Sequence, residues 1–198
     1  MYAVVDVETT GLSPRLDRII EVAVVALTES GTVEWAWSTL VRPERDVGPT
    51  HIHGLRASDV AGAPVFADIA GYLAFLLGGR VIVGHNVAFD WRMLSAEFGR
   101  MGVITPDPIP TVCTCSIARS LGHYPATLNA CLGAYGIENS QAHSAEGDAM
   151  ATARLLASMV DLASDDAIQT ARSGRSVLAP WPTVSVVNET GVQRPRRQ

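Results

Sequence analysis

The chain has 198 residues, 47% of them hydrophobic and 18% charged, with a formal net charge of −5, the balance of one globular domain with at most a short extension. No apolar run is long enough to span a bilayer, and no basic and apolar leader pattern opens the chain, so a cytoplasmic protein with no membrane partner is expected. All 15 basic residues are arginine, which excludes a phosphate-loop lysine, a Schiff-base lysine and a serine–lysine dyad, while the acidic balance argues against a broad electrostatic platform for nucleic acid.

In chain order, Tyr2 to Val7 and Ile19 to Leu27 are apolar runs rich in β-branched residues, and Val33 to Val41 alternates around Trp35 and Trp37 after a turn at Gly31. These predict three strands of an antiparallel meander. Phe66 to Leu77 spaces its apolar residues helically and stops at Gly78-Gly79. Val81 to Val83 reads as a short buried strand, followed by a helix from about Val87 to Phe98 with Asn86 as its N-cap. Thr111 to Cys113 predicts a further strand, and Cys115 to Leu121, Leu128 to Tyr135 and Ala145 to Leu162 predict helices. Strands first and helix–strand units afterwards define an α/β chain with a mixed sheet and helices on its faces.

Three acidic clusters punctuate these elements: Asp6-Val7-Glu8-Thr9-Thr10-Gly11, His85-Asn86-Val87-Ala88-Phe89-Asp90 and His143-Ser144-Ala145-Glu146-Gly147-Asp148. Residues two apart in a strand share a face, so Asp6 and Glu8 project to one side at the strand's C-terminal end. Asp90 falls in the first turn of its helix, where the dipole favours a carboxylate. His143 and Asp148 lie five residues apart, about 140° on a continuous helix, which puts His143 on the preceding loop with both side chains facing one cleft. Four carboxylates gathered without a compensating cation repel one another. They form a hard oxygen donor set suited to Mg²⁺ or Mn²⁺, and a pair of such ions roughly 3.5–4 Å apart supports in-line hydrolysis of a phosphodiester. His143, an imidazole, is the candidate base. Cys113, Cys115 and Cys131 lack metal-finger spacing and read as reduced interior thiols. His51 and His53, in a segment read as extended, have no adjacent acid or thiol to complete a metal site, and Trp91 is assigned to the core.

The ordered segments Asp6 to Leu12, Ile52 to Leu55, Val83 to Asp90 and His143 to Ala149 resemble the motifs of the DEDDh 3′-to-5′ exonucleases, the family of the proofreading epsilon subunit of bacterial replicative DNA polymerase. The resemblance runs from about Tyr2 to Leu162. It implies an RNase H-like fold with a five-stranded mixed sheet, three antiparallel strands then two parallel, in a domain of residues 1–163. It also implies two divalent ions, Mg²⁺ or Mn²⁺, and release of nucleoside 5′-monophosphates from a 3′ end. Asp6, Glu8 and Asp148 would hold the tightly bound ion, Asp90 would support the second, and His143 would be the general base. Thr9 and Gly11 through their amides, Leu12, His53, Asn86 and Phe89 would grip the terminal nucleotide. Gly48, five residues before His53, departs from the family pattern, in which an acidic residue lies near the terminal ribose.

Residues 164–198 fall outside this resemblance. A Pro180-Trp181-Pro182 segment, a strand over Thr183 to Val187 and a basic end at Arg194, Arg196 and Arg197 are expected there, with nucleic acid or a polymerase as partner. The functional expectation is a 3′-to-5′ exonuclease on single-stranded or frayed DNA, in proofreading or repair. The rival readings are a 3′ exoribonuclease on short RNA or tRNA ends and a nucleic-acid-binding subunit without turnover.

Overall fold

The computed structural model of the chain describes residues 1–106, 109–161, 165 and 168, and the backbone of residues 196–197. Strand β1 (Tyr2–Thr9) is flanked by β2 (Ile19–Leu27) and β4 (Val81–Gly84), and the sheet order is β5-β4-β1-β2-β3-β6 with β3 (Val33–Leu40), β5 (Thr111–Cys113) and the two-residue β6 (Arg196–Arg197). β1, β2 and β3 run antiparallel, whereas β1, β4 and β5 are parallel. This is the expected five-stranded mixed sheet, with β6 added at the β3 edge opposite Trp35 and Ala36. The other features anticipated for residues 164–198 lie outside the described residues.

The central strands do not alternate apolar with polar because both of their faces are covered. On β1, Ala3, Val5 and Val7 pack with α3 (Phe66–Leu77) and α4 (Val87–Arg100) through Ile69, Leu73, Val87 and Leu94. Tyr2 and Val4 face the opposite way, against Ala145, Ala149, Ala153 and Leu156 of α7 (Ala145–Met159). Alanines four residues apart form one stripe of α7, and their small side chains let the helix lie close to the sheet. Asp6 and Glu8 continue the even-numbered face of β1. The period that buries Tyr2 and Val4 therefore directs both acids to the side where α7 begins.

Two short helices complete this side: α5 (Thr114–Ser120) and α6 (Leu128–Ala134) pack on the outer surface of α7 through Ala118, Cys131, Leu132, Ala151 and Leu155. Cys115 and Cys131 are buried, Cys113 is half-buried, and all three are free thiols. Trp91 packs on the core, as expected. The sequence reading missed two one-turn helices, α1 (Thr50–His53) and α2 (Ala57–Val60). His51 and His53 thus lie on a helical turn and not on an extended segment, because four residues are too few to display a periodic apolar pattern. No helix among the described residues is long and apolar enough to cross a membrane.

Candidate active site

The parallel strands β1, β4 and β5 bring their C-terminal ends to one edge, the place where open α/β sheets collect ligands. There, one carboxylate oxygen from each of Asp6, Glu8 and Asp148 lies within 4.8 Å of the others. Asp90 enters from the opposite face of the sheet, in the first turn of α4, and its Oδ1 accepts from Val7 N–H at 3.2 Å. Its carboxylate is therefore tied to the strand residue lying between Asp6 and Glu8.

Burial and mutual repulsion hold these acids far from their ordinary state. Burial first, then the charges of Asp90, Asp148, Glu8 and Glu21, push Asp6 well above the usual carboxylate range. Glu8 is pushed up to about 8 by burial and by Asp148 and Glu21. Asp90 is also raised to about 8, burial outweighing the N–H bonds that favour its ionised form. Asp148 is raised by burial, against the opposing pull of Asn139 and His143. No arginine forms an ion pair with any of the four among the described contacts. A set of half-buried oxygen donors short of positive charge fits a hard divalent cation, and Asp6, Glu8 and Asp148 are placed to hold it.

The third motif places its residues as the spacing predicts. His143 is exposed on the loop, Ser144 caps α7 by accepting from Gly147 N–H at 3.1 Å, and Asp148 is one turn in. His143 has φ 66° and Asn86 has φ 72°, a left-handed backbone uncommon outside glycine. The sequence reading is corrected at Asn86. It occupies the N-cap position of α4, but its side chain makes no capping bond and is exposed. The left-handed conformation turns the chain into the helix and leaves that amide exposed.

The remaining expected residues surround the same edge. Thr9 Oγ1 donates to Gly11 O at 2.7 Å, folding the chain after β1, and Leu12 at the tip of that loop is 83% exposed. Asp17 fastens the loop by accepting from Ser13 N–H at 2.9 Å and from Thr10 Oγ1 at 3.1 Å. Phe89 is half-buried against the core. His53 is buried, and burial lowers its pKa against the opposing hydrogen bond to the Val47 backbone. Its Nδ1 accepts from Leu55 N–H at 3.1 Å, which places the ring proton on Nε2.

Gly48 departs from the family pattern for a reason visible in the backbone. It has φ 79°, and a Cβ there would overlap the carbonyl of Thr10. Gly48→Glu is therefore expected to lower stability by about 1–3 kcal/mol, read as a lower urea midpoint; an unchanged midpoint would show that the loop accepts a side chain.

Sequence reasoning missed Glu21 and Asn139. Glu21 pairs across the strands with Glu8, and its Oε2 accepts from Ala145 N–H at 3.0 Å, binding the sheet to the first turn of α7. The signal was present, as Glu21 is the one acid in the apolar run Ile19 to Leu27. Asn139 donates to Asp148 Oδ1 at 2.6 Å from a loop with no helical or strand period to mark it. His85, part of the second motif, is spent on scaffold contacts: its ring lies 3.0 Å from Thr114 Oγ1 and 2.9 Å from Ala126 O.

A mixed sheet whose parallel edge gathers Asp6, Glu8, Asp148 and the buried Asp90 is the arrangement of a metal-dependent nuclease of the RNase H-like type. The chain belongs to the DEDDh-type 3′-to-5′ exonuclease family: residues 3–156 match the RNase_T exonuclease domain. It is 32% identical over 174 residues to the PolC-type DNA polymerase III of Bacillus subtilis (strain 168), a match covering 85% of this chain and 12% of that protein. The chain thus spans about an eighth of the PolC-type relatives. With DNA polymerase III subunit epsilon of Treponema pallidum (strain Nichols) it shares 29% identity over 167 residues, 80% of this chain and 76% of that one. A solved structure of exonuclease X in complex with 5′ overhanging duplex DNA superposes with TM-score 0.67 at 28% identity, covering 86% of this chain and 98% of the other.

Proposed function

We propose that this chain removes nucleoside 5′-monophosphates one at a time from the 3′ end of single-stranded or frayed DNA, using two divalent ions, Mg²⁺ or Mn²⁺. The observation that carries the reading is the convergence of Asp6, Glu8 and Asp148 oxygens within 4.8 Å in a site where burial and repulsion raise every carboxylate. Asp6, Glu8 and Asp148 hold one ion, and Asp90, anchored on Val7, supports the second. The bound ions supply Lewis acidity for the attacking water and charge compensation at phosphorus.

The side chains do the rest. His143, exposed at the mouth of the site, takes the proton of the attacking water. The protruding Leu12 and the ring of Phe89 present apolar surface to bases of any sequence. Asn86 and His53 bond the sugar and phosphate of the terminal nucleotide, and the Thr9 and Gly11 amides complete the grip. Residues 1–163 form the exonuclease domain. The setting is proofreading or repair, supported by polymerase relatives and by a neighbour solved on overhanging DNA.

The test is degradation of 5′-labelled single-stranded DNA and RNA of one sequence with Mg²⁺, with Mn²⁺ and with chelator. A ladder shortening from the 3′ end, dependent on metal and faster on DNA, is expected. Faster loss of RNA would assign a 3′ exoribonuclease, and no cleavage under any metal would leave a binding subunit. His143→Ala should lower kcat by about 10²–10⁴-fold, the usual worth of a general base, while Mn²⁺ affinity stays near wild type. A kcat within threefold of wild type would remove His143 from that role.

A further inference from the structure

We infer that Asn139 is a positioning residue that locks the metal-ligand carboxylate of Asp148 and the loop bearing His143 into one unit. The inference rests on the proposed roles of Asp148 and His143. The Asn139 amide is used at both ends: Nδ2 donates to Asp148 Oδ1 at 2.6 Å, and Oδ1 accepts from Gln141 N–H at 3.1 Å. Only this orientation serves both neighbours, since a carboxylate needs a donor and a backbone N–H needs an acceptor.

From Gln141 the bonding returns to the helix. Its carbonyl accepts from Ser144 Oγ at 2.9 Å and from Ser144 N–H at 3.2 Å. That carbonyl also lies so close over Gly147 that a Cβ there would overlap it. Between these fixed points stands His143 with φ 66°, whose backbone and ring both favour the ionised form of Asp148. An exposed histidine in left-handed backbone has little to hold it by itself; here Gln141, two residues before it, and Asp148, five after it, are joined through the Asn139 amide. Orientation of the ligand oxygen and presentation of the imidazole are therefore one variable. Polar groups behind a metal ligand typically change affinity or activity about 10–100-fold when removed.

The experiment uses the full chain and four variants: Asn139→Ala, Asn139→Asp, His143→Ala, and Asn139→Ala combined with His143→Ala. Asn139→Asp keeps the acceptor for Gln141 but replaces the donor to Asp148 with a second carboxylate, and the urea midpoint of each variant separates a folding defect from the lost donor. We expect Asn139→Ala to lower kcat about 10–100-fold with KM for the oligonucleotide within threefold. Mn²⁺ affinity measured by electron paramagnetic resonance on the metal-free protein should weaken about tenfold. Asn139→Asp should lose kcat comparably. In the His143→Ala background the Asn139→Ala loss should shrink to a few-fold, because the base it positions is already gone. Wild-type kcat and Mn²⁺ affinity in Asn139→Ala, a rise in KM with kcat retained, or an undiminished loss in the double variant would overturn the inference. Asp148→Ala is run beside them: if it binds Mn²⁺ and cleaves like wild type, the ligand assignment itself falls, a result distinct from failure at Asn139.

Discussion

Asp6→Asn is expected to abolish turnover while making the metal-free protein more heat-stable. The two effects have one cause. Asp6 lies among Asp90, Asp148 and Glu8, and its carboxylate is destabilised by burial and then by each of these neighbours. The arrangement favours a divalent cation and disfavours the empty fold. Asparagine keeps the shape and removes the charge, so a cation loses a central ligand. The activity should fall about 10⁴-fold, equivalent to ~5 kcal/mol of transition-state stabilisation. Without metal, the same change removes the cost of keeping a carboxyl, ionised or forced to take up a proton, in a desolvated site among other acids. A relief of about 1–2 kcal/mol raises Tm by about 2–8 °C in a chain of this size. The measurements are kcat with Mn²⁺ and thermal unfolding in chelator. Loss of activity accompanied by a lower Tm would mean that Asp6 is a structural acid satisfied by the fold, and the metal assignment would lose its main support. A functional site that lowers stability when empty is the expected trade between activity and folding.

How much of this was legible in the sequence depends on the range of the signal. β2 and α3 were predicted over the residues they occupy, Ile19–Leu27 and Phe66–Leu77, because apolar content and a double-glycine stop act locally. The shared face of Asp6 and Glu8 followed from strand period alone. Their company with Asp148 did not, since it depends on α7 crossing the even-numbered side of β1, a tertiary fact reached only through the ordered motifs. Asn86 shows the limit of residue type as a guide. Asparagine is favoured both as a capping side chain and in left-handed backbone, and here the second preference won. Glu21 and Asn139 escaped for opposite reasons. Glu21 was a conspicuous acid in a core strand whose partner, Ala145 N–H, is 124 residues away. Asn139 is an ordinary loop residue, made important only by what lies beside it.

The second large effect is in the pH dependence of the metal-free protein. Glu8 and Asp90 are raised to about 8, and Asp6, Asp148 and Glu21 are raised as well. In the unfolded chain such groups titrate near 4. Between those limits the folded protein binds more protons than the unfolded chain. A raised carboxylate therefore contributes stability that is complete below about pH 4 and lost as pH climbs through its folded value. Each extra proton held by the fold makes stability decline by about 1.4 kcal/mol per pH unit. In chelator, Tm should therefore fall from pH 5 to pH 8. Saturating Mn²⁺ should reverse the fall, so that the Tm gain on adding metal grows with pH. General self-repulsion in a chain of net charge −5 also lowers Tm at higher pH, and thermal data alone do not separate the two causes. Proton release does. Ions bind the ionised carboxylates, so metal must expel the protons that Glu8 and Asp90 hold at neutral pH. Titration calorimetry in buffers of different ionisation enthalpy should find about one to two protons released per protein at pH 7, and fewer in Asp90→Asn. No release would mean that the carboxylates are already ionised in the metal-free fold, leaving net charge as the sole source of the pH slope.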